Sequence, residues 1–469
     1  MNRWALTTLI FLASATQVVA QAPSSVRGMT PALSASIDDI AKDAIHTRLA
    51  PGMAIGVIED GRVVYARGFG FANLATHAPF ASDTESFCGP LTMQFTAAAA
   101  MLLVQAGKLK LDDPVTHYVP ELAPVANGVT VEQLLAQTSG LPQLSSLDVA
   151  ADQTHTIKTA DLLAAVDKAK PIAAPGAAYA NNPLNYLVAG TVVERASGET
   201  LSDYLQQQIF VPLVMDHTFL AGDTGISTAH AVGYSRTSAR SGFAPAKIVD
   251  PAWLGGASGL VTTVDDLAKW DVEMPILLRV DAVRTLFTPV QGQDTAKVGL
   301  GWIVDTRAGH RFVWYAGGIP GYDAANLLLP DDHVGVIVLT NADSAGAIGP
   351  GLAAHVAERI LDLVSPAGTV RLDNAIVARA REWLERLADK QIDRTQLTPA
   401  FSTYLSDDFV ARQNLAALGK LQAIVPLSST TRSNGDTLYV FLVRFAHAQY
   451  RYKFAVTTNG KIDEILLVG

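Results

Sequence analysis

The chain has 469 residues, a formal net charge of −9, and 49% hydrophobic against 17% charged residues. This length allows two or three domains with a large core, and the composition excludes an intrinsically disordered protein. The negative charge and the lack of a basic run argue against a nucleic-acid partner. The only cysteine is Cys88, so an intrachain disulfide is excluded.

Residues 1–20 have the pattern of a secretory signal peptide. Arg3 supplies a positive charge, an apolar stretch runs from Trp4 to about Ala13, and small residues precede Gln21. The pattern predicts export to the periplasm or the cell exterior, with no membrane span once the signal peptide is cleaved. An uncleaved N-terminal anchor is the alternative, although the apolar stretch is short for a membrane span.

The elements that follow predict a domain over residues 30–362. Apolar periodicity predicts helices over 33–49, 90–107, 184–196, 264–273 and 350–364. Strand signals lie at 53–58, 63–67, 298–304, 311–315, 324–329 and 335–340, with a hairpin turn at Asp60-Gly61. Between about 108 and 295 helix and loop signals dominate, and Thr130 is placed to cap a short helix.

A second pattern begins after a short linker, predicted over 363–371 because residues 365–369 read Ser-Pro-Ala-Gly-Thr. Residues 372–469 predict helices at 374–387 and near 406–418. They also predict strands at 422–426, 437–445, 449–456 and 462–468. One or two helices followed by an antiparallel meander make a small α+β domain, of a size that can fold alone.

The predicted fold class is therefore α+β. Strands lie at both ends of the large domain, so strands distant in sequence must pair in one antiparallel sheet flanked by helices. A helical subdomain, at about 108–295, is inserted between them. We expect a cleft between this subdomain and the sheet.

Three segments carry a resemblance to a known family. Residues 89–96 read Gly-Pro-Leu-Thr-Met-Gln-Phe-Thr, residues 179–181 read Tyr-Ala-Asn, and residues 315–322 read Tyr-Ala-Gly-Gly-Ile-Pro-Gly-Tyr. In this order the set resembles the serine β-lactamase-related superfamily of class C β-lactamases, D-Ala-D-Ala carboxypeptidases and penicillin-binding-protein-like esterases. The resemblance covers roughly residues 30–362, and it implies a β-lactamase-like fold and a serine-hydrolase ancestry.

The first segment departs from the family at two positions. Pro90 stands where the family has its serine nucleophile, and Met93 stands where it has the lysine partner; no S-x-x-K occurs elsewhere in the chain. Acyl transfer of this kind needs a hydroxyl and a nearby base, and neither side chain supplies one. Proline also lacks the backbone N–H that the resemblance assigns to the oxyanion hole.

The other two segments supply further cleft positions. The resemblance matches Tyr179 and Asn181 to the family's Y-x-N motif. It also places Tyr315, Gly317 and Gly318 in the third motif, where Tyr315 replaces a histidine or lysine. Loss of that cation weakens recognition of a substrate carboxylate. Together with Pro90 and Met93, these positions are predicted to form a vestigial cleft.

These residues predict an exported, catalytically inactive homologue with a cleft for a small peptide, a cell-wall fragment or an ester-like ligand. One alternative is an active esterase or peptidase that uses Cys88 or Thr92 as the nucleophile. Another is an interaction module that acts through the C-terminal domain. No cofactor and no metal are expected, because the ten histidines include no H-x-x-x-H pair and none clusters with the cysteine.

Overall fold

The computed structural model describes residues 29–222, 230–238, 242–247, 249–290, 297–307, 310–343, 351–364, 374–405, 418–432, 435–445 and 449–468. The predicted signal peptide, most of the predicted linker and nearly all of the helix predicted near 406–418 lie outside the described residues. In the described part of the chain, no helix is both long enough and apolar enough to cross a membrane.

Helices and strands segregate as the α+β prediction requires. The helices are α1 Pro31–His46, α2 Thr92–Gln105, α3 Val115–Tyr118, α4 Val131–Leu135, α5 Thr159–Asp167, α6 Pro183–Ser197, α7 Leu201–Leu205, α8 Gly255–Ser258, α9 Val264–Leu277, α10 Val280–Leu286, α11 Leu352–Val364, α12 Asn374–Ala388 and α13 Pro399–Tyr404. The strands are β1 Gly52–Glu59, β2 Arg62–Asn73, β3 Ala78–Pro79, β4 Ser86–Phe87, β5 Phe219–Leu220, β6 Tyr234–Ser238, β7 Gly242–Pro245, β8 Leu260–Thr262, β9 Ile303–Arg307, β10 His310–Ile319, β11 Tyr322–Leu329, β12 Val334–Thr340, β13 Leu421–Thr431, β14 Thr437–Phe445, β15 Gln449–Val456 and β16 Ile462–Val468.

An antiparallel sheet organises the large domain. Within the described residues its seven strands have the order β3-β2-β1-β12-β11-β10-β9. Strands from both ends of the domain meet where β1 pairs with β12, with Met53 opposite Thr340. One face of the sheet packs on α1 and α11, and the other packs on α9 and the core around α2. The predicted pairing of sequence-distant strands is confirmed.

Local sequence signals explain where several of these elements begin. The turn at Asp60-Gly61 joins β1 to β2, and Asp60 and Gly61 both have positive φ angles, of 48° and 71°. Thr130 caps α4 in a complete capping box with Gln133. Asn182 caps α6 with Pro183 directly after it. These caps and turns depend on residues that are close together in the sequence.

Several predicted boundaries are wrong. The strands predicted over 63–67, 311–315 and 422–426 are longer in the structure, where they are β2, β10 and β13. Two further differences lie beside α2. The segment predicted as a strand over 298–304 is mostly a turn, and β9 starts only at Ile303. Gly301 has a φ of 78° and lies in this turn against the backbone of Met93, so close packing on α2 overrides the apolar strand pattern. The helix predicted to open at Pro90 begins as a 3₁₀ turn over Gly89–Leu91, and α2 proper starts at Thr92.

The C-terminal part forms a separate sheet with the order β13-β14-β15-β16. Its buried residues form their own apolar cluster, which includes Trp383 of α12 and Phe441 and Tyr452 of the sheet. The antiparallel meander is thus confirmed, and α13 is a helix that the sequence pattern did not predict. The predicted domain limits of 30–362 and 372–469 remain predictions.

Candidate active-site cleft

The 3₁₀ turn before α2 packs directly on β10 and brings two of the sequence motifs together. A methyl group added at Gly317 would lie 3.1 Å from Cγ of Pro90, so only glycine fits there without a shift of the proline. Pro90 is half-buried, Gly317 is half-buried and Gly318 is exposed. Pro90 therefore lies next to Gly317, which belongs to β10 and to the third sequence motif.

Met93 lies one turn further along and faces the core. Its side chain is only 2% exposed. The amide of Gln137 donates a hydrogen bond to Met93 Sδ at 3.5 Å. A thioether is a weak acceptor that cannot be protonated at neutral pH. The position that should hold a base is thus occupied by a buried neutral group with a neutral partner.

Gln137 is the central polar residue of this region. It is 2% exposed and its φ is 61°, which is uncommon for a residue other than glycine. Its side-chain oxygen accepts hydrogen bonds from the backbone N–H of Asn182 at 3.1 Å and from the side-chain amide of Asn185 at 2.7 Å. Its carbonyl accepts from the N–H of Ala180 at 2.9 Å. Through these hydrogen bonds, Gln137 connects Met93 to the loop before α6.

Three tyrosines, Tyr179, Tyr186 and Tyr315, lie close to one another in this region. Burial raises the pKa of Tyr315, with a smaller contribution from the nearby Tyr179, while a hydrogen bond from Gln137 lowers it. Burial likewise raises the pKa of Tyr179 and Tyr186, and the Tyr186 hydroxyl donates to the carbonyl of Leu135 at 2.6 Å. All three phenols stay neutral and protonated at physiological pH, so none of them replaces the missing cation or base.

The Tyr-Ala-Asn segment divides into exposed and buried residues. Tyr179 is half-buried beside Tyr315, and Asn181 is exposed. The next residue, Asn182, is 1% exposed and accepts hydrogen bonds from the N–H groups of Leu144 and Leu184, both at 3.2 Å. Sequence reasoning singled out Asn181 and missed Asn182 and Gln137. The Asn-Pro pair before α6 was an available signal for the first of these, and nothing local indicated the second.

Part of one edge of β10 has no strand partner among the described residues. In the described residues β9 pairs only with His310–Trp314, while β11 pairs with the other edge of β10 as far as Ile319. On the β9 side, the backbone from Tyr315 to Ile319 therefore has no neighbour among the described strands. Unpaired strand edges can accept an extended peptide by adding it as a further strand.

Alternative nucleophiles are poorly placed. Burial raises the pKa of the Cys88 thiol to about 12, which keeps it protonated. Thr92 is fully buried, and its hydroxyl donates to the carbonyl of Gly89 at 2.7 Å and accepts from the N–H of Leu260 at 3.0 Å. Both residues have structural roles at the start of α2, which disfavours an active hydrolase built on either.

Among the described residues, no group of three or more histidine, cysteine, aspartate or glutamate side chains is placed to hold a metal ion.

Replacing Gln137 is expected to destabilise the fold around the cleft. Gln137→Ala leaves the N–H of Asn182 and the amide of Asn185 unpaired in a buried setting, at a cost of about 2–3 kcal/mol in the free energy of unfolding. Chemical denaturation would measure the loss. Gln207→Ala, at an exposed position, is the matched control; equal losses in both variants would contradict a structural role for Gln137.

Comparisons with known proteins identify a matching family model and several similar proteins. A family model described as beta-lactamase matches residues 37–359. Unguisins hydrolase ungD' from Aspergillus campestris is 26% identical over 351 residues, which cover 69% of this chain and 65% of that protein. Protein flp from Staphylococcus aureus is 24% identical over 339 residues, which cover 70% of this chain and 66% of that protein. The chain thus matches slightly less than two thirds of the length of these relatives.

Solved structures share the fold. The D-amino acid amidase from Ochrobactrum anthropi has a TM-score of 0.63 at 20% identity, and the match covers 72% of this chain and 100% of that one. The octameric penicillin-binding protein homologue from Pyrococcus abyssi has a TM-score of 0.62 at 22% identity, covering 91% of this chain and 96% of that one. The second match extends into the C-terminal part, beyond the large domain alone.

Proposed function

The chain belongs to the beta-lactamase family, and on that premise we propose that it is a non-hydrolytic member with a ligand-binding cleft. The proposed protein is exported by the segment over 1–20 and acts in the periplasm or outside the cell. It binds its ligand without forming a covalent bond. A small peptide, a cell-wall fragment or an ester-like molecule is the proposed ligand class.

The joint replacement at Pro90 and Met93 carries this proposal. Loss of a serine nucleophile costs on the order of 10⁶ in rate in serine hydrolases. Loss of one oxyanion-hole donor costs roughly another 10²–10³, and proline at position 90 removes that donor as well. Both replacements are compatible with the scaffold, since Pro90 sits in a 3₁₀ turn and Met93 fills a buried site.

The accessible groups of the cleft favour a peptide-like ligand. Asn181 and Gly318 are exposed and Tyr179 is half-buried, so amide, backbone and aromatic surfaces are all available. The part of the β10 edge that no described strand pairs offers backbone donors and acceptors to an extended chain. The buried phenols and Gln137 add no charge, so the proposed ligand is held through its amide and backbone groups and does not need an ion pair at Tyr315.

A fluorescent penicillin tests the proposal in two ways. After denaturing electrophoresis we expect no labelled band, because no ester forms. In native solution we expect reversible binding by fluorescence polarisation, weakened several-fold by Asn181→Leu and competed by an acylated D-alanyl-D-alanine peptide. Asn459→Leu, in the C-terminal turn, is the control and should bind as the parent does. A covalent band would refute the loss of catalysis, and an absence of saturable binding would refute the retained cleft.

A further inference from the structure

A second cavity lies elsewhere in the large domain, and none of the cleft residues lines it. Its volume is about 420 Å³, within the range of roughly 300–1,000 Å³ that is typical of ligand pockets. It is open on one side and is bordered by the C-terminal half of α9, by α10, by the turn between β1 and β2 and by the hairpin between β11 and β12. Most of its wall is apolar and includes Met274, Val283, Phe287, Leu328 and Val334.

The course of α9 helps to form this space. Pro275 lies inside α9 and also lines the cavity. Proline has no N–H to donate to the carbonyl four residues earlier, which here belongs to Asp271. The helix is thereby weakened along the side that faces the cavity, and α10 starts a few residues later at Val280.

Asp271 is the polar residue on this wall of α9. Its Oδ1 accepts a hydrogen bond from the Asn326 amide at 2.7 Å, while its Oδ2 is buried and has no partner in the described structure. Burial raises the pKa of this carboxyl to about 8. At neutral pH the group is therefore mostly protonated, and because Oδ1 already accepts a bond, the free Oδ2–H is a donor that lacks an acceptor.

Two arginines provide further donors. Arg311 pairs with Asp331 through Nη2 at 2.8 Å, but its Nε is buried and has no partner in the described structure. Arg284 is exposed and lines the same cavity. The cavity thus joins an apolar wall to two arginine side chains, in a protein whose net charge is −9. A guanidinium group forms its strongest hydrogen bonds with an anionic oxygen such as a carboxylate.

From this geometry we infer that the cavity binds an amphipathic monocarboxylate, with its aliphatic chain against the apolar wall and its carboxylate beside the guanidinium groups of Arg284 and Arg311. Burial of the methylenes favours binding, and the guanidinium groups select the anion over a cation. None of the cleft residues lines this site, so the inference does not depend on the function proposed for the Pro90 region.

Isothermal titration calorimetry of the full protein with decanoate tests the inference. We expect saturable binding of decanoate and none of decylamine, which has the same chain and the opposite charge. Val283→Trp fills the cavity and should weaken decanoate binding about tenfold or more. Arg284→Glu should do the same, whereas Lys108→Glu makes an equal charge change at an exposed site outside the cavity and should have no effect.

The outcomes are distinguishable. Circular dichroism checks that Val283→Trp is folded, and Arg284→Glu carries the test by itself if it is not. The inference is overturned if decanoate does not saturate the parent protein, if decylamine binds equally well, or if Lys108→Glu weakens binding as much as Arg284→Glu. Because the fluorescent penicillin reports on the cleft alone, failure in either assay leaves the other interpretable.

Discussion

Pro90→Ser alone is expected to leave acyl-enzyme formation negligible, whereas Pro90→Ser combined with Met93→Lys should give slow acylation. The single change restores a hydroxyl, but the neighbouring Gln137 amide and the Tyr315 phenol cannot take its proton. A lysine at position 93 would be buried, and burial lowers the pKa of an amine so that it can act as a base. We expect the double variant to react about 10²–10⁴-fold faster than the single one, the contribution typical of a general base.

Labelling by a fluorescent penicillin, with intact-protein mass spectrometry, would measure both rates. Pro90→Ser with Met93→Leu is the matched control, because it provides the serine and an apolar side chain without an amine. Burying an ammonium group beside Gln137 also costs stability, so circular dichroism should establish that each variant is folded. If the single Pro90→Ser variant were acylated as fast as the double variant, the requirement for an amine at position 93 would be refuted.

The sequence predicts the large-scale arrangement because its strongest signals are local. The Asp60-Gly61 turn and the Thr130 cap act within a few residues, and both are found as expected. Alternation and apolar runs identify β14, β15 and β16 with their observed limits. The α+β class follows from these elements, since strands at both ends of one domain must share a sheet.

The environment of the cleft could not be predicted in the same way. Gln137 and Met93 are 44 residues apart, and their contact depends on a loop whose conformation no short-range rule indicates. The wrong strand at 298–304 has a related cause. Its apolar residues do pack in the core, but Gly299 and Gly301 approach the backbones of Leu286 and Met93 so closely that the chain turns there.

Asp271 illustrates a property that only tertiary structure creates. In the sequence it is one acidic residue within an ordinary helical pattern, with nothing to distinguish it from Asp265 or Asp266. In the fold it lies under the β11–β12 hairpin, where Asn326 is its hydrogen-bond partner and apolar side chains remove water. Its protonation state is therefore a consequence of packing, and it predicts a measurable dependence of stability on pH.

Asp271→Asn is expected to stabilise the protein, and increasingly so as the pH rises from about 5 to 8. The pKa of the carboxyl is about 8 in the folded state and 3.8 for the ordinary group, so over this interval the native protein holds a proton that the unfolded chain has released. The native state then binds more protons, and stability falls as the pH rises. The limiting slope is about 1.4 kcal/mol per pH unit, and asparagine, which does not ionise, removes it.

Urea denaturation at pH 5, 6, 7 and 8, followed by tryptophan fluorescence, would measure the difference between variant and parent. Trp270 is fully buried next to Asp271 in α9 and reports on this region. Arg284, Arg311 and His333 line the same cavity and are common to both proteins. Asp112→Asn makes the same chemical change at an exposed position and should reproduce the parent profile. Parallel profiles for Asp271→Asn and the parent would show that this carboxyl is ionised in the folded protein, because only a proton retained on Asp271 makes the two curves diverge with pH.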